Sequence, residues 1–212
     1  MFSKTAMIVT VAATMTLAGC GMTPTQRNTA IGSAVGVLAG AGIAKATGGK
    51  AAQGALIGAA VGGVGTYVWS ARMERQRQEL EAATRGTGVS VERTSDNQLM
   101  LAIPSDVSFD SNSYAIKSNF RPVLNSFAYS LRRNPNTTVV IIGHTDSTGS
   151  AQINDPLSLN RANATRDYIF NQVSGPRIQT EGRGSREPVA SNDSAAGRAK
   201  NRRVEVFIAQ NQ

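Results

Sequence analysis

The chain has 212 residues, a formal net charge of +8, one cysteine and one histidine. A single cysteine excludes an intrachain disulfide and a cysteine-based metal site, and a single histidine excludes a multi-histidine metal site. The positive charge favours an anionic neighbour such as nucleic acid, a membrane surface or an acidic polymer. We expect no metal and no other cofactor.

The N-terminus has the layout of a secretory signal. Lys4 precedes an uncharged, largely apolar stretch over residues 5–18, and the segment ends in the letters LAGC at Cys20. This ending resembles a bacterial lipobox, in which the cysteine thiol takes a diacylglyceryl group. Residues 1–19 are therefore predicted to be a lipoprotein signal peptide and Cys20 the lipidation site. The alternatives are a plain signal peptide or an N-terminal membrane helix.

The residue after Cys20 bears on where such a lipoprotein is sent. It is Gly21 and not an aspartate, which by resemblance to bacterial lipoproteins predicts the outer membrane. Several acyl chains on Cys20 would anchor the protein stably in the membrane, whereas a single chain gives only marginal, reversible binding. Residues 20–28 are then a lipidated linker.

Residues 29–71 are rich in glycine and mostly uncharged, with a turn signal, Gly48-Gly49-Lys50, near the middle. Because each helical glycine costs about 1 kcal/mol relative to alanine, tight packing or lipid must offset that cost. The segment resembles the glycine-zipper hairpins of bacterial envelope proteins. Glycines recur every fourth residue on both sides of the turn and would form one smooth face on each helix: Gly32, Gly36, Gly40, Gly54, Gly58 and Gly62.

Two interpretations of this hairpin stay open, and a disordered linker is a third. The hairpin inserts into a membrane, because its second arm would be about 30 Å long and ends near Tyr67 and Trp69. Alternatively it packs on itself, or on further copies in a homo-oligomer, at the membrane surface. Residues 72–88 follow with charges of alternating sign and are predicted to be a solvated spacer helix and linker.

From about residue 97 the pattern changes to alternating strands and helices, and a domain over 97–212 is long enough for its own core. Asp155 is predicted to be the N-cap of the second helix, with Pro156 at its first position. The order β-α-β-α-β-β predicts an α/β sandwich with the helices on one sheet. The predicted strands are 98–103, 138–143, 178–182 and 203–209, the helices 118–133 and 155–172, and a short extended piece covers 107–109.

Opposite charges follow the predicted central strand. Asp146 lies just past its C-terminal end, where open α/β sheets bind ligands. Arg161 lies early in the next helix and should lean back toward the loop, beside free backbone N–H groups and the positive helix end. An acid facing an arginine suits a zwitterion, because the carboxylate takes an ammonium group and the guanidinium pairs a carboxylate. The alternative is a structural ion pair between the two side chains.

Several spaced motifs over about 97–212 resemble the OmpA-like peptidoglycan-binding domain. They are GHTDSTG from residue 143, LSLNRA from 157, EGRGSREPVASN from 181 and GRAKNRRVEV from 197. In that family the ligand is the free end of diaminopimelate in the peptidoglycan stem peptide. The resemblance implies that Asp146 binds its ammonium and Arg161 its carboxylate, and it assigns Asn154 and Arg203 to the same site. Arg202 is interpreted as a solvated residue at a strand start.

The sequence departs from the family in two places. The final loop is shorter than in many members, and Pro156 is unusual in its motif and could shift the helix start. Neither departure removes a group that the resemblance assigns to the ligand.

Lipobox, glycine zipper and C-terminal domain together resemble a type of outer-membrane lipoprotein. The leading interpretation is a tether between membrane and cell wall with no enzymatic activity. An oligomeric assembly or pore-forming protein, with wall binding secondary, is the alternative. A wall-cleaving enzyme has no support from paired carboxylates or a Cys–His pair, and His144 is not expected to be catalytic. Nucleic acid is not expected, because no aromatic residues interleave the basic cluster at 183–203 and the signal directs the chain out of the cytoplasm.

Overall fold

A computed structural model describes residues 69–210. The predicted signal peptide, the lipidation site Cys20 and nearly all of the glycine-rich hairpin lie outside these residues. Within the described range, no helix combines the length and the apolar character that crossing a bilayer requires.

The described residues form a mixed α/β fold. Its central elements follow the predicted β-α-β-α-β-β order, while the sequence analysis missed the first strand and a short last helix. The elements are α1 (Ala71–Thr84), β1 (Ser90–Arg93), β2 (Leu99–Pro104), α2 (Ser105–Ser108), a 3-10 turn (Ser118–Phe120), α3 (Arg121–Arg133), β3 (Thr137–His144), α4 (Ala151–Phe170), β4 (Arg177–Gly182), α5 (Ala195–Asn201) and β5 (Arg203–Gln210).

The five strands form one sheet in the order β1-β2-β5-β3-β4. β3 runs parallel to β4 and antiparallel to β5, and all eight of its residues are buried. This burial explains the unbroken apolar run, which is expected of a strand with neighbours on both sides. β1 lies before residue 97, where the predicted domain begins, and it still pairs with β2 over its whole length.

The predicted extended piece over 107–109 is wrong in its first two residues. Residues Ser105–Ser108 form the one-turn helix α2, and the Ser108 hydroxyl donates a hydrogen bond back to the carbonyl of Pro104, 2.9 Å away. Phe109 itself is extended and forms an isolated bridge with Ile116. Proline ends β2, and the serine side chain then stabilises a turn in place of further strand.

α1 is not the solvated spacer that its charges predict. Met73 and Leu80, seven residues apart on one face, are buried in the same apolar core as the side chains of α3. The charges flank this face, since Arg77 lies one turn from each of these residues and pairs with both Glu74 and Glu81. Seven residues are about two helical turns, so two well-placed apolar side chains suffice to dock a highly charged helix.

α4 begins four residues earlier than predicted. Its N-cap is Ser150, and Pro156 lies inside the helix. The Asp155 carboxylate does not cap the helix; it accepts a hydrogen bond from Arg186 Nη1 at 2.5 Å. Pro156 removes one backbone hydrogen bond near the exposed start of a 20-residue helix, and the remaining turns tolerate that loss.

Two glycines let α4 lie directly on the sheet. Gly143 and Gly182 are partners across β3 and β4, at the C-terminal ends of both strands. A Cβ at Gly143 would lie 1.9 Å from the carbonyl oxygen of Ser158, and one at Gly182 would lie 2.6 Å from the backbone nitrogen of Leu159. The close approach holds the middle of α4 beside the loop that follows β3.

Candidate functional site

A pocket of about 540 Å³ opens at the C-terminal end of β3. It is lined by the loop after β3, by one face of α4, by the segment from α2 to residue 117, and by the residue that precedes β5. Its charged lining is balanced, since three acids face three bases: Asp106, Asp110 and Asp146 face Lys117, Arg161 and Arg202.

Asp146 lies two residues past β3 and is 7% exposed. One carboxylate oxygen accepts the backbone N–H of Thr148 at 2.8 Å, and the other accepts Arg202 Nη1 at 2.7 Å. Burial alone would raise the pKa of this carboxyl, but the hydrogen bonds from Arg202 and Thr148 outweigh it and hold the pKa below its ordinary value. Asp146 is therefore ionised at neutral pH, and its oxygens keep lone pairs for a further donor.

Arg161 lines the same pocket and is 3% exposed. Its guanidinium donates to two backbone carbonyls, those of Ser113 at 2.9 Å and Asp110 at 3.4 Å, and lies over the ring of Phe109. Among residues 69–210 it has no ion pair with a carboxylate, so the structural ion pair with Asp146 is absent. Burial lowers the pKa of Arg161, though a guanidinium stays protonated. Asp106 and Asp146 attract this cation only from a distance, and a buried cation without a direct ion pair is costly, so the guanidinium is suited to an anionic group.

Asn154 is buried in the first turn of α4. Its Nδ2 donates to the carbonyl of Thr148 at 3.0 Å and, more weakly, to the carbonyl of Asp146 at 3.4 Å. The resemblance assigned Asn154 to the ligand. It does line the pocket, and in this structure its side-chain amide holds the loop that presents Asp146.

Arg203, the fourth residue that the resemblance assigned to the ligand, lies outside the pocket lining. Its Nε donates to Glu205 at 2.8 Å, and the other guanidinium nitrogens donate to the carbonyls of Asn201 and Glu187. Successive residues at the start of a strand point to opposite sides. The arginine that reaches the pocket is therefore the preceding one, Arg202.

Arg202 is thus not the solvated residue that the sequence suggested. It forms ion pairs with Asp146 at 2.7 Å and with Asp106 at 2.6 Å, and these hydrogen bonds raise its pKa above the usual arginine value. Two adjacent arginines are visible in the sequence, but nothing in it tells which of them faces the loop after β3. The register that pairs Arg203 with His144 decides the matter.

His144 is fully buried at the end of β3 and lies outside the pocket lining. Its Nε2 is 3.6 Å from a carboxylate oxygen of Glu205, which is too long for a hydrogen bond. Burial lowers the pKa of His144, so the imidazole is neutral at pH 7. Within residues 69–210 no group of three or more His, Cys, Asp or Glu side chains has an arrangement that could hold a metal.

We expect Arg202→Gln to raise the pKa of the Asp146 carboxyl. The substitution removes a hydrogen bond and a nearby positive charge that both lower this pKa, while the burial that raises it remains. The measurement is an NMR titration of the side-chain carboxyl carbon. Arg186→Gln is the matched control, because Arg186 pairs with Asp155. An unchanged Asp146 titration in Arg202→Gln would contradict the assigned contact.

Comparisons with known proteins agree with this fold. Two protein families match the chain: the OmpA family over residues 108–202 and the YMGG-like Gly-zipper over residues 1–74. The solved cell wall anchor of the T6SS from Pseudomonas aeruginosa superimposes with a TM-score of 0.58 at 32% identity, over 65% of this chain and 98% of that one. The described residues thus contain an OmpA-like domain, and the resemblance seen in its motifs is confirmed.

Among curated proteins, the chain is 40% identical to the probable lipoprotein YiaD of Escherichia coli, over 93% of this chain and 94% of that protein. A second relative, the peptidoglycan-binding protein ArfA of Mycobacterium tuberculosis, is 48% identical over 87 residues, which are 41% of this chain and 27% of ArfA. The chain therefore belongs to the family of YiaD, and in this chain the Gly-zipper match precedes the OmpA match.

Proposed function

We propose that this protein is an outer-membrane lipoprotein that binds peptidoglycan non-covalently through the free end of diaminopimelate, and so tethers the membrane to the cell wall. The observation that carries the proposal is Arg161, a buried guanidinium that lines the pocket near Asp146 and has no carboxylate partner among the described residues.

The pocket offers one partner for each charged end of an amino acid. The Arg161 guanidinium pairs with the carboxylate of the ligand and so gains a direct ion pair, which it does not have among residues 69–210. The Asp146 carboxylate takes the ammonium, for which it keeps lone pairs beside those used by Thr148 and Arg202. Arg202 stays on Asp146 and Asp106 and keeps the acid ionised.

The comparisons support the wall as the source of this ligand. ArfA is named a peptidoglycan-binding protein, and the solved structural relative is a cell wall anchor. In this proposal the pocket binds the zwitterionic end of diaminopimelate within peptidoglycan, and not an amino acid in solution.

The membrane end of the tether rests on the lipobox at Cys20 and on the relative that is named a probable lipoprotein. Acylated Cys20 anchors the chain, and the domain lies in the periplasm. In this proposal the protein performs no covalent chemistry, and the pocket acts by ionic and hydrogen-bonding contacts alone.

A competition experiment with two stem tetrapeptides tests the ligand. L-Ala–γ-D-Glu–diaminopimelate–D-Ala should displace the full chain from purified peptidoglycan. The peptide with L-Lys at the third position should compete weakly, because its side chain ends in an ammonium with no carboxylate for Arg161. Losing a charge-assisted pair in the pocket corresponds to about 1.5–3 kcal/mol, which is roughly 10- to 150-fold in affinity. Equal competition by the two peptides would contradict recognition of the diaminopimelate carboxylate.

A second function has one observation in its favour. The match of residues 1–74 to the YMGG-like Gly-zipper supports an oligomeric assembly through the glycine-rich segment, with wall binding secondary. An oligomeric assembly differs from a simple tether in one measurable way. It forms an oligomer in detergent through residues 29–71, and Arg161→Gln does not change the size of that oligomer.

A further inference from the structure

We propose a second binding site, for a phosphate-type oxyanion, in a small pocket where the start of α1 meets the end of α3. The pocket has a volume of about 120 Å³, which leaves room for one tetrahedral oxyanion, and it shares no residue with the pocket at β3. We call it the α1 arginine site. It is lined by Arg72, Arg75, Gln76, Glu79, Arg133 and Asn134.

Gln76 is the first sign that this pocket has a ligand. Its side chain is 1% exposed, and within residues 69–210 neither its Nε2 nor its Oε1 has a hydrogen-bond partner. A buried amide with both atoms unsatisfied is rare in folded proteins and calls for an explanation. An oxyanion in the pocket would accept from Nε2, and an arginine that closes over it would donate to Oε1.

The charges of the site point to an anion. Arg72 and Arg75 are exposed and, among residues 69–210, neither forms an ion pair. They are three residues apart on α1, and like charges at this spacing repel each other unless a counter-ion lies between them. The one acid, Glu79, is already paired with Arg133 at 3.0 Å. The site therefore carries a net positive charge of two, with its acid neutralised.

A phosphate matches these donors better than a carboxylate does. Three guanidinium groups and an amide N–H offer more donors than the two oxygens of a carboxylate accept at once, whereas a phosphate has three or four oxygens. The first turn of a 14-residue helix also favours negative charge. The site lies directly after the glycine-rich segment in the chain, so the phosphate of an anionic lipid headgroup is the nearest source, and a soluble phosphate is the other.

Trp69 allows a direct test, because it is the only tryptophan of the chain and donates a hydrogen bond to Glu74 in the first turn of α1. The full chain in dodecyl maltoside, at constant ionic strength, is titrated with inorganic phosphate and separately with phosphatidylglycerol. We expect a saturable change in Trp69 fluorescence. A response to phosphatidylglycerol alone assigns the site to a lipid headgroup, and a response to inorganic phosphate assigns it to phosphate itself.

Two sets of variants give the control. Arg72→Gln with Arg75→Gln should weaken binding roughly tenfold or more, because two charge-assisted hydrogen bonds are lost. Arg85→Gln with Arg121→Gln removes the same charge from two exposed arginines that line no described pocket, and should change the affinity by less than about twofold. Arg161→Gln should also leave the response intact, which separates this site from wall binding.

Gln76→Met distinguishes a ligand role from simple packing. Met has a similar volume and no unsatisfied amide, so the variant should be more stable in phosphate-free buffer and should bind phosphate more weakly. No saturable response to either probe would overturn the proposal. So would an affinity that neither Gln76→Met nor the double arginine variant reduces.

Discussion

Replacing Arg161 with glutamine is expected to abolish retention of the full chain on purified peptidoglycan. The guanidinium is 3% exposed and has no counter-ion of its own among the described residues, so a ligand carboxylate makes a pair that is shielded from water. Removing one partner of such a pair costs about 2–5 kcal/mol, which is roughly 30- to several-thousand-fold in affinity. A peptidoglycan pull-down or a titration with the diaminopimelate tetrapeptide measures the loss.

The control is Arg166→Gln, which lies five residues further along α4 and pairs with its neighbour Asp167 outside the pocket. It should bind as the parent does. Retention of Arg161→Gln at the parental level would refute the proposed ligand geometry.

The stability of Arg161→Gln separates binding from folding. Removing the guanidinium costs the hydrogen bonds to the carbonyls of Ser113 and Asp110 and the contact with the Phe109 ring, and the relief from burying a cation that has no direct ion pair among the described residues offsets this loss. We expect the free energy of unfolding to change by no more than about 1 kcal/mol. A variant that has lost binding and has kept its melting temperature would assign Arg161 to the ligand rather than to the fold.

Gly143→Ala is expected to have the largest effect on stability among the substitutions considered. The added Cβ would lie 1.9 Å from the carbonyl oxygen of Ser158, in the backbone of α4, so the helix must move away from the sheet. Overpacking against backbone should cost about 2–4 kcal/mol, at or above the usual range for an overfilled core. For a domain of this size the melting temperature would fall by roughly 5–15 °C, followed by Trp69 fluorescence in the full chain.

Gly86→Ala is the matched control for Gly143→Ala. Gly86 has a positive φ of 78°, and no atom lies within 4 Å of its added Cβ, so alanine there meets only backbone strain. That strain costs about 1–2 kcal/mol. A Gly143→Ala variant as stable as Gly86→Ala would mean that α4 does not lie on β3 as closely as described. Because α4 carries Arg161 and Asn154, the displaced helix should also weaken peptide binding.

The predictable part of the fold came from local patterns. The apolar run of β3 predicted its ends to within one residue, and the helical spacing in α3 predicted its ends to within three. Both predictions were possible because buried positions select apolar residue types. For α1 the same dependence on residue type led to a wrong prediction. Most residues of α1 are charged or polar, and Met73 and Leu80 are the only large apolar side chains on its buried face. The start of α4 was missed because Asp155-Pro156 is a good local start signal, whereas the tertiary contact with Arg186 occupies that carboxylate.

The candidate site, too, has one part that the sequence predicted and another that only the structure shows. Asp146 and Arg161 were predicted as site residues from their positions relative to a strand end and a helix start, and the structure brings both into one pocket. The sequence could not show that Arg202, and not Arg203, lines the pocket. Both are arginines in adjacent positions, and the choice depends on the register of β5 against β3. The packing of α4 on Gly143 and Gly182 was equally hidden, because nothing local shows which element will cover a glycine.

By itself, the sequence determined which kinds of side chain this protein has and in what order: a cysteine in a segment that resembles a lipobox, a glycine zipper, and a strand–loop–helix unit with an acid and an arginine. Those features depend on spacing along the chain, which covalent geometry controls. Only the tertiary structure decided that Arg202 pairs with Asp146 and that, among the residues described, Arg161 forms no direct ion pair and the buried Gln76 amide has no hydrogen-bond partner. Each of these depends on what distant segments place against a side chain, and no local pattern records such a contact.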